Sequence, residues 1–270
     1  MNDETYAGRS FPLRILAAAP LFLVTQAAIG FLTGFVAGLA GQDTSLPSTM
    51  LFINTLAMIA AGLAVAVLNR FRLPSERQRQ TLRRHATITL RLTVPVLLIM
   101  VGTQGIVSTV LVLSQIEAGI YGAFAQSLYQ LPLAGTLVGV ALIPAVVEEY
   151  VFRQVIQDGL STVCRPVVRV AVSACLFGLV HVLPIQVVSA SILGLSLGYI
   201  RERSRSLGPA IWGHAASNAM VLIIRPDFTE ATAVTPAAAE ISASMLLAVL
   251  MTGGGILLFE RLNRRLSKQS

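Results

Sequence analysis

LAGTLVGVALIPAVVEEYVFRQVI, residues 133–156, is an apolar run that ends in three charged side chains. Up to Val147 it carries no charge, and at about 1.5 Å per residue a helix of this length crosses the roughly 30 Å hydrocarbon core of a bilayer. The same stretch then runs into Glu148, Glu149 and Arg153, side chains that are expensive in lipid. A membrane span that keeps three such groups is a candidate functional site.

Comparable apolar stretches lie at 15–39, 51–68 and 92–113 before it, and at 167–182, 184–200, 210–224 and 241–259 after it. The pattern predicts an all-α polytopic membrane protein of about eight transmembrane helices, the fifth to seventh short. The first stretch is too long for the apolar region of a signal peptide and follows Asp3 and Glu4, so it reads as a retained helix. Composition agrees: 54% of residues are apolar and 12% charged, against about 25% charged in soluble domains, and the mean hydropathy is +0.74. This excludes soluble, disordered, collagenous and disulfide-scaffold classes. Cys164 and Cys175, if on one helix, sit roughly 16 Å apart, beyond disulfide reach.

The net charge of +7 does not indicate a nucleic-acid partner, because the basic residues fall between apolar stretches rather than on one soluble patch. With the N-terminus inside, every Lys and Arg except Arg225 lies on or beside a cytoplasmic segment. The expected protein is a multi-pass protein of the cell membrane with both termini cytoplasmic. Its arginine-rich segment 70–84 reads as a solvated loop at the anionic lipid surface, which makes membrane lipids its partners, and His85 beside it reads as a surface residue rather than a ligand. Gly30, Gly34 and Gly38, and again Gly194 and Gly198, read as close-packing faces between helices.

The ionisable groups inside spans fall in three strings: EEYVFR from Glu148, FGLVH ending at His181, and HAASN from His214 to Asn218. Glu149 and Arg153 are four apart with the acid first, the favourable order for an ion pair on one helical face. Glu148 is turned by roughly 100° from Glu149 and can point elsewhere. One carboxylate can therefore be structural and the other chemical. His214 and Asn218 also share a face, among small neighbours that let another helix or a substrate approach. Counted along its helix, His181 lies deeper than the others, which requires tilt, a later helix start or a break near Pro184.

In these three strings the chain resembles the CAAX protease and bacteriocin-processing family, the type II CAAX prenyl endopeptidase-like intramembrane proteases. That family's pattern is EExxxR, FxxxH and HxxxN on successive membrane segments. Here it reads Glu148, Glu149 and Arg153; Phe177 and His181; His214 and Asn218, with Gln154 a departure where relatives often have Gly. The resemblance covers about residues 130–224. It divides the chain into N-terminal helices and a basic loop (1–129), a protease core (130–224) and a last helix with a basic tail (225–270).

The resemblance implies an intramembrane endopeptidase acting on a membrane-associated or lipidated peptide or protein, prenylated or not. Glu148 and His181 would activate a water, His214 and Asn218 would stabilise the oxyanion, and Glu149 and Arg153 would support the site. Glu148, His181 and His214 also make a possible zinc set. The metal-free mechanism is preferred because the chain has no HExxH and its sequence shows no outer partners for the histidines. Two other readings are a proton-coupled transporter, for which no inverted repeat is visible, and a non-catalytic scaffold of the same fold, which would be expected to have lost one of these residues.

Overall fold

The computed structural model describes residues 15, 17–69, 76–114, 119–225 and 238–268; among them every regular element is helical. The helices are α1 (Ala18–Leu39), α2 (Pro47–Leu68), α3 (Glu76–Ser114), α4 (Gly119–Leu128), α5 (Leu133–Thr162), α6 (Pro166–Leu179), α7 (Pro184–Ser204), α8 (Leu207–Ile224) and α9 (Ala238–Lys268). Among the described residues, six spans are long and apolar enough to cross a membrane: α1, α2, α3 from Ile88, α5, α8 and α9 from Ala239. The chain is a multi-pass membrane protein.

The fifth and sixth expected spans differ from the rest. At 14 residues α6 reaches roughly 21 Å, short of the hydrocarbon thickness. At 21 residues α7 is long enough, but Gln186, its serines and the charges at its end keep it out of the apolar set. The two form an antiparallel hairpin, with Gly194 against Ala174, Gly198 against Val170 and Arg169 bonded to Glu202. A hairpin returns the chain to the side it left, so its two ends lie on one side whether or not its tip emerges.

A second difference lies at the arginine-rich segment. Residues 70–75 fall outside the described residues, but from Glu76 the backbone is helical and continues unbroken to Ser114, passing Pro95. The stretch expected as a loop is the start of α3, because ERQRQTLRR is composed mainly of good helix formers. Of the basic residues used for orientation, Arg9, Arg14, Arg70 and Arg72 lie outside the described residues, as does the 226–237 segment. Arg153, counted among the basic residues beside a cytoplasmic segment, is fully buried.

Two apolar cores hold the bundle. One joins α1, α2 and α5 with Phe177 of α6; the other joins α3, α7 and α8 with Phe259 of α9. Close packing follows from small residues, as expected for Gly30 and Gly34 against Ala57 and Ile53, whereas Gly38 has no neighbour within 4 Å. Gly62 of α2 is decisive for the site, because a β-carbon there would stand 2.6 Å from Val147, the residue before Glu148. At the opposite end of α5, polar ties fix the hairpin: Asp158 pairs with Arg201, Gln157 donates to the Gly198 carbonyl at 3.0 Å, and Arg169 Nε donates to Glu202 at 2.9 Å.

Candidate active site

The site lies where α5, the tip of the α6–α7 hairpin and α8 meet. In α5 an α-helical stretch, Ile143–Glu149, is enclosed by two π-helical ones, Leu137–Leu142 and Tyr150–Gln157. Such insertions change the hydrogen-bond register and the direction of side chains along a helix, and they concentrate at functional sites. Arg153, from the second π stretch, is fully buried. Its Nε donates to Glu149 Oε2 at 3.0 Å and its Nη1 to Ser173 Oγ at 2.8 Å, while the Ser173 hydroxyl donates to the Phe152 carbonyl at 2.7 Å. The guanidinium also lies 5.1 Å from the centre of the Phe177 ring, a favourable cation–π distance. Nη2 has no hydrogen-bond partner among the described residues.

The second oxygen of Glu149 faces His214 of α8. His214 Nδ1 lies 3.1 Å from Glu149 Oε1, and because an ionised carboxylate only accepts, Nδ1 carries the hydrogen. His214 Nε2 then faces Glu148 Oε2 at 3.7 Å. Both carboxylates thus approach one imidazole from its two nitrogens. Glu148 stays clear of the Arg153 pair, as the helical spacing suggests, but its neighbour is His214. It makes no ion pair or hydrogen bond with His181, the residue expected to share its water.

His181 falls just past the end of α6. Its Nδ1 donates to the Phe177 carbonyl at 2.7 Å, leaving Nε2 free to accept. The chain reverses immediately afterwards: Leu183 N donates to the His181 carbonyl at 2.7 Å across Val182, which takes a positive φ of 65°. This break accounts for the apparent excess depth of His181, because α6 stops at Leu179 rather than continuing through the membrane. Phe177 explains the first letter of FxxxH. Its ring meets His181 and His214 edge-on, with centroids 5.0 and 5.5 Å away, and Phe152 at 5.2 Å. One aromatic side chain therefore spaces both imidazoles and caps the arginine.

Asn218, one turn beyond His214, donates Nδ2 to the Val140 carbonyl in the first π stretch at 3.2 Å. Among the described residues the other amide hydrogen and Oδ1 have no hydrogen-bond partner. Ser173 was not singled out by sequence, although it stands four residues before Phe177 and eight before His181, on the same face of α6. Nor was Ser217, whose buried hydroxyl has no partner among the described residues.

A zinc ion is the cofactor to test against this geometry. Both histidines bind through Nδ1 to an outer acceptor, Glu149 or the Phe177 carbonyl, and keep Nε2 available. Metal-ligating histidines are oriented in this way, so the outer partners that the sequence did not reveal are present. Among the described residues, however, no three His, Cys, Asp or Glu side chains gather around one point. The donor types fit zinc and their positions do not, so no step below runs through a metal.

Residues 130–220 match the family model described as type II CAAX prenyl endopeptidase Rce1-like, a range that contains all three motifs. No curated protein and no solved structure matches the chain. Helices of that matched segment draw Glu148, Glu149, Arg153, His181, His214 and Asn218 together, and over residues 130–220 the chain is similar to the Rce1-like type II CAAX prenyl endopeptidases.

Proposed function

We propose that the chain is an endopeptidase of the CAAX type, embedded in the cell membrane with cytoplasmic termini, that uses Glu148 to activate water against a peptide bond of a membrane-associated or lipidated substrate. The observation that carries this reading is the buried series Glu148, His214, Glu149, Arg153, with contacts of 3.7, 3.1 and 3.0 Å. A water hydrogen-bonded about 2.8 Å from each atom would bridge the 3.7 Å pair.

In this mechanism the water attacks the scissile carbonyl carbon as Glu148 takes its proton. His181 Nε2 accepts the water's other hydrogen bond and orients it. Glu148 hands its proton to His214 Nε2; Glu149, already bonded to Nδ1, compensates the imidazolium, as the buried carboxylate does in a serine-protease triad. The new Nε2–H and the spare N–H of Asn218 stabilise the oxyanion. When the tetrahedral species collapses, the C–N bond breaks, His214 protonates the leaving amine, and a carboxylate and an amine depart.

The test is hydrolysis by purified protein in liposomes of a quenched peptide ending in a CAAX sequence, with and without a farnesyl group. Cleavage of either supports the reading, and the ratio reports whether prenylation is required. Protein from which metal has been stripped, as verified by elemental analysis, should retain this activity. Loss restored specifically by zinc would overturn the metal-free mechanism. Sidedness is tested by reporter fusions: one at Arg79 should behave as cytoplasmic and one at Ala231 as external.

A further inference from the structure

Val140 accepts its hydrogen bond from another helix for a reason that lies four residues further along α5. In an α-helix the carbonyl of residue 140 would receive the N–H of residue 144, and residue 144 is proline, which has none and whose ring crowds that carbonyl. The π-helical stretch Leu137–Leu142 ends just before it. In a membrane a carbonyl that loses its α-register donor has no water to turn to, and either the π register, through the N–H of Ala145, or a neighbouring side chain takes over. Asn218 is the side chain that does so here, at 3.2 Å.

We infer that Pro144 is a positioning residue for the active site: by withholding an N–H from the Val140 carbonyl it leaves the acceptor to which Asn218 is tied, and this fixes the amide whose second hydrogen serves the oxyanion. The catalytic part of this inference rests on the role given to Asn218 above; the structural part does not. Pro144 stands one turn before Glu148 on α5, and Asn218 one turn after His214 on α8. The two helices are thereby joined at two levels, by Glu148 with His214 and by Val140 with Asn218.

A double-mutant cycle tests the link without a substrate. Detergent-solubilised wild type, Pro144→Ala, Asn218→Ala and the double variant are melted side by side. In the presence of Pro144, Asn218→Ala strands a carbonyl in an apolar bundle and should lower the melting temperature by about 2–5 °C. In the Pro144→Ala background position 144 supplies the N–H, and Asn218→Ala should cost almost nothing. Pro144→Gly, which also supplies an N–H but is a poorer helix former, should show the same loss of coupling.

On the farnesylated reporter, Pro144→Ala should lower kcat about tenfold to a hundredfold with KM nearly unchanged and no fall in melting temperature, because Asn218 loses its anchor rather than the fold losing support. A purely structural proline would lower stability and activity together. Equal melting costs of Asn218→Ala in both backgrounds, or wild-type kcat in Pro144→Ala, would overturn the inference. If the melting coupling is absent while Asn218→Ala is still slow, the proposed function stands without it. If Asn218→Ala turns over at the wild-type rate, the role of Asn218 in that function is wrong.

Discussion

Glu148→Gln should insert and melt as the wild type does, yet hydrolyse the farnesylated reporter about 10²- to 10⁴-fold more slowly per folded molecule, the range expected when a general base is removed. The two halves of this expectation have separate causes. Glutamine matches glutamate in volume, so the packing of Val147 and its neighbour Gly62 is undisturbed. Glu148 also lies outside the Arg153 pair, and its contact with His214 Nε2 is a 3.7 Å approach rather than a hydrogen bond. Removing its charge therefore strands no buried partner. What is lost is the group that takes the proton from water and relays it to His214. Wild-type turnover in this variant would show that Glu148 is not the base.

Arg153→Leu should have the opposite signature, a large loss of stability. Its side chain and that of Glu149 are both fully buried, and removing one partner of such a pair costs about 3–5 kcal/mol because the remaining charge is left in a low-dielectric interior. Ser173 loses a bonding partner and the Phe177 ring its cation at the same time. Abundance in membranes and melting in detergent should both fall. Adding Glu149→Gln to Arg153→Leu should recover part of the stability, since the stranded charge is gone, but not the turnover, since His214 Nδ1 loses its carboxylate acceptor. The comparison is Arg169→Leu, whose pair with Glu202 is about one-fifth exposed and tied to the hairpin base. There the loss should be about 1 kcal/mol or less. An Arg153→Leu protein that melts as the wild type does would contradict the account of the buried pair.

The sequence made the helical, membrane-spanning class legible because a bilayer demands long apolar stretches, and it singled out Glu148, Glu149, Arg153, His181, His214 and Asn218 because each is costly where it stands. The pair Glu149–Arg153 followed from helical spacing and is present at 3.0 Å. The partner of Glu148 did not follow. Counting about 100° per residue assumes a regular helix, whereas α5 changes register on both sides of the carboxylates, and two long side chains can reach one imidazole from adjacent positions.

The turn at His181 was visible only as a mismatch in depth, because Pro184 permits a break without fixing its place. The bond from Asn218 to the Val140 carbonyl needed the third dimension, although Pro144, which makes that carbonyl available, was in the quoted stretch throughout.

Hydrolysis of peptide bonds in the membrane through Glu148 can be read by sequencing the C-termini of membrane peptides and proteins from cells producing the wild type and from cells producing equal amounts of folded Glu148→Gln. The account predicts a set of newly formed C-termini found with the wild type and absent with Glu148→Gln, each explained by cleavage of one peptide bond in a membrane-associated or lipidated precursor. Identical C-terminal populations in the two cell lines, with both proteins inserted and folded, would contradict it.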